Sequence, residues 1–288
     1  MSSRRPAIRA NVAESPPSDL GRILGELRSQ LNVGSRVLLS IWLLLMILIP
    51  HILRLGDQDT LYLALSLSIM VQVCLVLSLL FPTLKGQETL RIGLLVIALA
   101  WLAEFVGHNT GFPFGRYTYT DALWPQIGAV PVQIPVAWLM MLPPAWAAGT
   151  AICSKMYSGA TSPLWRNRAV SSLTSGLAFT AWDLFLDPQM VAWGIWQWEL
   201  PGAYFGVPLV NFVGWTTIAS LVLFGLSYAI DVKNLPVDGL LVVYTVVWLL
   251  NSVGLGLYFD LPGAAAAGFV GMGIFVAGAW RQRLATPR

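Results

Sequence analysis

Three pairs of polar residues, each with its members four positions apart, contain the side chains best suited to chemistry in this sequence. They are Glu104 with His108, Asp183 with Asp187, and Asn211 with Trp215. A spacing of four places both members of a pair on one face of a helix. Carboxyl groups, an imidazole and an amide gathered at one place provide a general acid, a general base and a group to hold water.

Each pair lies at one end of a long apolar segment, and the composition shows what these segments are. The 288 residues are 56% hydrophobic and 11% charged, with a mean hydropathy of +0.68, whereas an average soluble domain is roughly 25% charged. This composition excludes a disordered chain, a secreted disulfide scaffold and an ordinary water-soluble enzyme. It predicts an all-α, polytopic transmembrane helix bundle, in which ionisable residues are costly and usually functional.

Eight apolar segments are long enough, or nearly so, to cross a bilayer as helices. They are residues 37–53, 61–84, 92–107, 130–153, 169–186, 207–230, 239–259 and 261–280. Residues 1–34 are polar and rich in Arg, and we expect a cytoplasmic N-terminal arm with a surface helix near residues 20–31. Residues 35–282 are expected to form a transmembrane catalytic domain.

The distribution of positive charge predicts the orientation. Of the 17 Lys and Arg residues, all but Arg54 and Arg116 fall on the same side of the eight spans as the N-terminus. The positive-inside rule therefore places both ends of the chain in the cytoplasm and makes this a multi-pass protein of the cell membrane. With this topology the three polar pairs lie at one depth, toward the outer leaflet.

The segments that follow or precede the three pairs are rich in aromatic residues, Gly and Pro instead of charge. We interpret them as caps over the end of the bundle. Trp and Tyr favour membrane interfaces in general. This preference explains the position of a single aromatic residue, but it explains less well why several Trp residues cluster near the carboxyl groups. The clustered residues are Trp182, Trp193, Trp196, Trp198 and Trp215.

The sequence has only two Cys and two His residues, which argues against a zinc site, a disulfide and a His-rich di-iron centre, and no nucleotide-binding motif is present.

The motifs around the polar pairs follow one another in a distinctive order. They are Glu104-x-x-Gly107-His108-x-x-Gly111-x-Pro113-Phe114-Gly115-x-Tyr117-x-Tyr119, then Val130-Pro131 and Pro135-x-Ala137-Trp138, then Trp182-Asp183 and Asp187-Pro188-x-Met190, then Trp196-x-Trp198, and finally Gly202-x-Tyr204-x-Gly206-Val207-Pro208-x-x-Asn211-x-x-Gly214-Trp215.

In this order the motifs resemble the membrane carotenoid 1,2-hydratases of the CruF type, often described only as carotenoid biosynthesis proteins. The first two and last two spans add nothing distinctive to the resemblance. It implies that water is added across the C1–C2 double bond of an acyclic (ψ) carotenoid end group, giving a tertiary alcohol, with no cofactor and no metal. The implied partners are water, membrane lipid and a lycopene-, γ-carotene- or C50-type carotenoid, with other carotenoid-pathway enzymes as further partners and no nucleic acid.

This reaction suits the residues, because protonation at C2 leaves a tertiary cation at C1 to which water adds. Apolar surroundings and a second carboxylate both favour the protonated form of an acid. We predict Asp183 as the proton donor, Glu104 or Asp187 as its partner, and His108 and Asn211 as the groups that hold water. Because Asp187 precedes Pro188, it can also be interpreted as a structural residue at which the helix ends. The residues expected to bind substrate and stabilise the cation are Asn211, Phe114, Tyr117, Tyr119, Trp182, Trp196, Trp198, Tyr204 and Trp215.

Three alternatives remain open at this point. A cyclase-like end-group enzyme would use the same protonation and then exclude water. A transporter or proton carrier would spread polar groups through both halves of the membrane, whereas here they lie toward one face. A non-catalytic scaffold would bind carotenoid without changing it. The Asp183-x-x-x-Asp187 spacing superficially resembles a prenyl transferase motif, but the sequence has no second motif of that kind.

Overall fold

The computed structural model describes residues 19–158 and 162–285, which form a bundle of long helices with two small β-ribbons. The long helices are α2 (Val33–Leu55), α3 (Gln58–Leu84), α4 (Gly86–Thr110), α5 (Gln133–Ile152), α7 (Leu164–Ala192), α8 (Leu209–Ala229), α9 (Val237–Leu257) and α10 (Pro262–Ala285). The short elements are α1 (Asp19–Gln30), α6 (Ser154–Ser158), a 3-10 turn (Val232–Asn234), β1 (Tyr117–Tyr119), β2 (Gln126–Ile127), β3 (Val130–Pro131) and β4 (Trp196–Trp198).

Each of the eight predicted spans corresponds to one long helix, and the prediction of an all-α polytopic bundle is confirmed. Within the described ranges, seven of the helices are long and apolar enough to cross a membrane, and α5 is the long helix that is not among them. Helix α5 is nearly all buried and packs against α3, α4, α7, α9 and α10. It therefore forms the centre of the bundle, where its neighbours shield it from lipid.

Helix α7 is longer than predicted, and the expectation that it ends at Asp187 is wrong. It continues through Pro188 to Ala192. A proline has no N–H, so Pro188 leaves the carbonyl of Leu184 without its helical donor. The hydroxyl of Tyr204 donates to that carbonyl at 2.8 Å. The loop before α8 thus replaces the missing hydrogen bond, and the helix can extend past the proline.

Changing Tyr204 to Phe is expected to lower the free energy of unfolding by about 1 kcal/mol, because the Leu184 carbonyl loses its donor in a partly buried position. Thermal unfolding of the purified protein in detergent would measure the loss. Tyr228→Phe is the matched control, since the Tyr228 side chain is exposed. Identical melting temperatures for Tyr204→Phe and the unchanged protein would contradict this account.

Helix α1 packs against the ends of α9 and α10 through a buried ion pair. The guanidinium of Arg283 in α10 lies 2.6 Å from the carboxylate of Asp238 in α9 and also pairs with Glu26 in α1. A surface helix was predicted in this region, and the structure shows that it is attached to the bundle. The remainder of the predicted arm, residues 1–18, lies outside the described residues.

Candidate active site

A two-stranded ribbon covers the bundle where α4 and α7 end. Strands β1 and β4 are antiparallel, with Tyr117 opposite Trp198 and Tyr119 opposite Trp196. Because alternate residues of a strand point to the same side, these four aromatic side chains share one face, while the middle residue of each strand is exposed. The ribbon therefore presents a continuous aromatic surface to the helices beneath it.

Glu104, near the end of α4, is held by three neutral donors. Its side chain is buried, with 2% of its surface exposed. The hydroxyls of Tyr117 and Tyr119 donate to Oε2 at 2.5 and 2.9 Å, and the indole Nε1 of Trp138 donates to Oε1 at 3.2 Å. All three bonds are directed at the carboxylate oxygens, so this environment accommodates a negative charge without a cationic partner among the described residues.

The two tyrosines act as neutral donors to Glu104. Burial, followed by the charge of Glu104, raises the pKa of Tyr117 and the pKa of Tyr119 well above the usual value for a phenol. Both hydroxyls therefore remain protonated across the physiological range. The ribbon thus fixes the position of Glu104 through two hydroxyl groups that do not themselves ionise.

The second acidic site is a pair of carboxyl groups joined by one amide. The Nδ2 group of Asn211 in α8 donates to Oδ2 of Asp183 at 3.0 Å and also to Oδ2 of Asp187. The indole of Trp196 donates to the other oxygen of Asp187 at 3.1 Å. Oδ1 of Asp183 is buried and has no hydrogen-bond partner among the described residues. A buried carboxyl oxygen that lacks a donor suits the protonated acid, so the arrangement suits a pair in which one carboxyl group carries a proton.

Both acidic sites border a single, mostly apolar cavity of about 280 Å³. Most of the predicted site residues line it, namely Glu104, Phe114, Tyr117, Tyr119, Trp182, Asp187, Trp196, Trp198, Asn211 and Trp215. Asp183, His108 and Tyr204 do not. Asp183 lies behind Asp187, fully buried, and His108 packs its ring against Tyr119, with centroids 6.4 Å apart.

Indole rings form one wall of the cavity. Trp138, Trp182 and Trp215 surround Phe179, with ring centroids 4.9 to 5.8 Å from it. The three indoles also line the cavity. Aromatic faces attract positive charge, and the attraction is worth about 2 kcal/mol when the cation is desolvated. A cation that forms in this cavity would therefore meet indole rings and carboxyl groups.

Sequence reasoning missed the contribution of three other helices to the cavity. Helices α2, α3 and α9 contribute side chains that include Trp42, Gln72 and Asn251. Gln72 and Asn251 are isolated polar residues within apolar spans, and the rule that singled out the carboxyl groups would also have found them. Trp138, the donor to Glu104, is an aromatic residue in an aromatic-rich chain, and its type alone gave no such signal.

A glycine in α8 allows the loop after α4 to approach the cavity. A Cβ atom on Gly214 would lie 2.7 Å from the ring of Phe114 and 2.8 Å from the carbonyl oxygen of Pro113. Phe114 lines the cavity, and its own carbonyl accepts a hydrogen bond from the indole of Trp198 at 3.1 Å. Close contact of α8 with this loop therefore positions both Phe114 and the ribbon.

Changing Gly214 to Ala is expected to destabilise the protein by about 1–3 kcal/mol, because the added methyl group overlaps the backbone of the loop. Gly225→Ala in the same helix is the matched control, since nothing lies within 4 Å of its Cβ position. This control is expected to be neutral or to stabilise the helix by up to about 1 kcal/mol. Thermal unfolding in detergent would compare the two, and equal stabilities would contradict the assigned role of Gly214.

Within residues 19–158 and 162–285, no three His, Cys, Asp or Glu side chains are grouped in a way that could hold a metal ion. The fold and the site together define a multi-pass helical membrane protein with buried carboxyl groups beneath an aromatic ribbon. The sequence model of the family described as "Carotenoid biosynthesis protein" matches residues 62–277, so the chain belongs to that family. The resemblance inferred from the motifs is confirmed.

One curated relative is the bisanhydrobacterioruberin hydratase of Haloarcula japonica. It is 31% identical to this chain over 145 residues, which are 49% of this chain and 46% of the relative. The chain therefore matches slightly less than half the length of that relative. No solved structure matches the chain.

Proposed function

We propose that this protein is an enzyme, a carotenoid hydratase that adds water across the C1–C2 double bond of an acyclic end group by acid catalysis. One observation carries the proposal: a pair of buried carboxyl groups joined by one amide and a carboxylate with three donors border the same aromatic, mostly apolar cavity. The name of the Haloarcula japonica relative, a hydratase of bisanhydrobacterioruberin, supports a carotenoid substrate and the addition of water.

The proton comes from the Asp183–Asp187 pair. Asp187 lines the cavity and Asp183 does not, so Asp187 is the member that reaches the alkene. The neighbouring charge of Asp183 favours a proton on Asp187, and the amide of Asn211 holds the two carboxyl groups side by side. This assignment refines the prediction from the sequence, which made Asp183 the donor. His108 lies outside the cavity lining and has no part in the proposed mechanism.

The cation is stabilised by charge and by ring faces. Transfer of the proton from Asp187 to C2 breaks the π bond and leaves the positive charge on C1. The ionised Glu104 and the indoles of Trp182 and Trp215 stabilise that charge. Water, oriented by the carbonyl of Asn211, adds to C1 and returns a proton to Asp187. The alkene has then gained one water, and the carboxyl pair has its proton back.

The test is expression in a bacterial host that makes lycopene or γ-carotene, followed by mass analysis of the extracted pigments. We expect a new pigment heavier by one water for each hydrated end group. A cyclised product of unchanged mass would show that the protein is a cyclase and not a hydratase. Unchanged pigment in cells that contain the folded protein would contradict any enzymatic role on these substrates.

We also propose that both ends of the chain face the cytoplasm and that residues 35–282 form the catalytic domain in the cell membrane. The placement of Lys and Arg residues on one side of the spans supports this orientation. A green fluorescent protein fused to the C-terminus is expected to fluoresce, because it folds in the cytoplasm. A dark fusion with an intact, active membrane domain would contradict the orientation.

A further inference from the structure

The cavity extends from the buried carboxyl groups to the lipid-facing surface between α2 and α9. At its inner end Glu104, Asp187 and Asn211 are each only 2% exposed. At its outer end the lining includes Ile47 and Val253, which are 55% and 48% exposed. Both belong to helices that are long and apolar enough to span the membrane, so the opening faces hydrocarbon and not water.

Four residues define this opening, which we call the lateral mouth: Ile47 and His51 on α2, Val253 on α9, and Tyr258 just after α9. All four line the cavity and are exposed. Helix α2 is the least buried of the seven candidate spans. Among the described residues, α2 makes its main contacts with α3. Helix α2 therefore forms a thin wall on this side of the cavity.

Two features of α2 shape the mouth. Pro50 has no N–H, so the carbonyl of Met46 lacks its helical donor, and both residues line the cavity. Near the end of α2 the guanidinium of Arg54 lies over the ring of Tyr258, 5.4 Å from its centroid. This cation–π contact joins α2 to the end of α9 and bounds the mouth at one end.

The volume of the cavity limits how much of a carotenoid it can hold. At about 280 Å³ it lies just below the range of roughly 300–1,000 Å³ that is typical of sites for drug-sized molecules. A carotenoid is longer than such molecules, and only its end group fits. The rest of the polyene must leave through an opening whose surroundings are as apolar as the chain itself, and the lateral mouth meets that requirement.

We propose that a linear polyene enters end-first through the lateral mouth, and that during the reaction its chain lies between α2 and α9 and extends into the bilayer. The inference rests on the proposed function for the chemical class of the ligand. It adds the route and the binding mode, and it assigns Ile47 and Val253 as residues that determine access for long substrates.

Bulky substitutions at the mouth test the route. Ile47→Trp and Val253→Trp narrow it from opposite walls, and because both positions face lipid the variants are expected to fold. Leu44→Trp and Leu249→Trp are the matched controls, since these residues lie on the same two helices, are 57% and 47% exposed, and do not line the cavity. Each variant adds one Trp to the chain.

The rate of hydration is measured with lycopene in phosphatidylcholine vesicles that contain the reconstituted protein. We expect at least a tenfold lower rate for the two mouth variants and less than a twofold change for the two controls. With 2-methylhept-2-ene, a short alkene that carries the same trisubstituted end group, the mouth variants should stay within threefold of the unchanged protein. Equal rates on lycopene for mouth and control variants would overturn the proposal.

A second readout separates the mouth from the catalytic proposal. Lycopene bound in the cavity is expected to quench tryptophan fluorescence, whether or not it reacts. If the unchanged protein forms no hydrated product, the proposed function fails, while quenching still tests the mouth. Mouth variants that need at least fivefold more lycopene for half-maximal quenching than the controls would support the route. Equal requirements would overturn it.

Discussion

Changing Asp187 to Asn is expected to lower the rate of carotenoid hydration by about 100- to 10,000-fold, the usual contribution of a general acid. The amide has the shape of the carboxyl group and remains beside the indole of Trp196 and the amide of Asn211. It cannot supply the proton that the alkene requires. Because the change conserves volume, the variant is expected to fold and to bind the polyene.

The measurement is the initial rate on lycopene in vesicles, with protein amount and dispersion checked by gel filtration in detergent. Asp121→Asn is the control, since Asp121 is an exposed residue in the loop at the same end of the bundle. The hydration rate of the Asp121→Asn variant should equal that of the unchanged protein. An active Asp187→Asn variant beside an inactive Asp183→Asn variant would reverse our assignment and make the more deeply buried carboxyl group the donor.

Changing Glu104 to Gln is expected to lower the turnover number by about 100- to 1,000-fold, the usual effect of removing one group that stabilises a transition-state charge. The change removes the negative charge that the cation at C1 would face. It also turns one acceptor oxygen into an NH2 group, which would face either both tyrosine hydroxyls at the position of Oε2 or the indole N–H of Trp138 at the position of Oε1. Both hydroxyls donate to Glu104 in the unchanged protein.

Because the loss concerns a charge that develops only in the transition state, the turnover number should fall far more than the affinity for the polyene. Steady-state rates and fluorescence quenching by lycopene would separate the two quantities. Glu88→Gln is the control, as Glu88 is exposed on the same helix. A Glu104→Gln variant with normal turnover and weak binding would assign Glu104 to substrate positioning instead.

The aromatic ribbon shows why part of the site was not predictable from local sequence. Tyr-Thr-Tyr at residues 117–119 and Trp-Gln-Trp at residues 196–198 both alternate in polarity, as a half-buried strand does. Each strand is too short to be recognised alone, and its partner lies in a distant loop. Only the tertiary structure pairs them, and the pairing places Tyr117 and Tyr119 on Glu104, and Trp196 on Asp187.

The sequence by itself determined the membrane bundle. The length and apolarity of a span are local properties, and they decide whether a segment crosses the hydrocarbon layer as a helix. The sequence also singled out Glu104, Asp187 and Asn211, since each is a rare polar residue in an apolar segment. It predicted Asp183 as the proton donor and Asp187 as a possible partner, but the two residues share one helix face and nothing in the local sequence separates their roles. Which of the two meets the cavity depends on how α7 and α8 pack together and on where Asn211 is placed between them. The lateral mouth likewise arises only where α2 and α9, distant in sequence, border the same cavity.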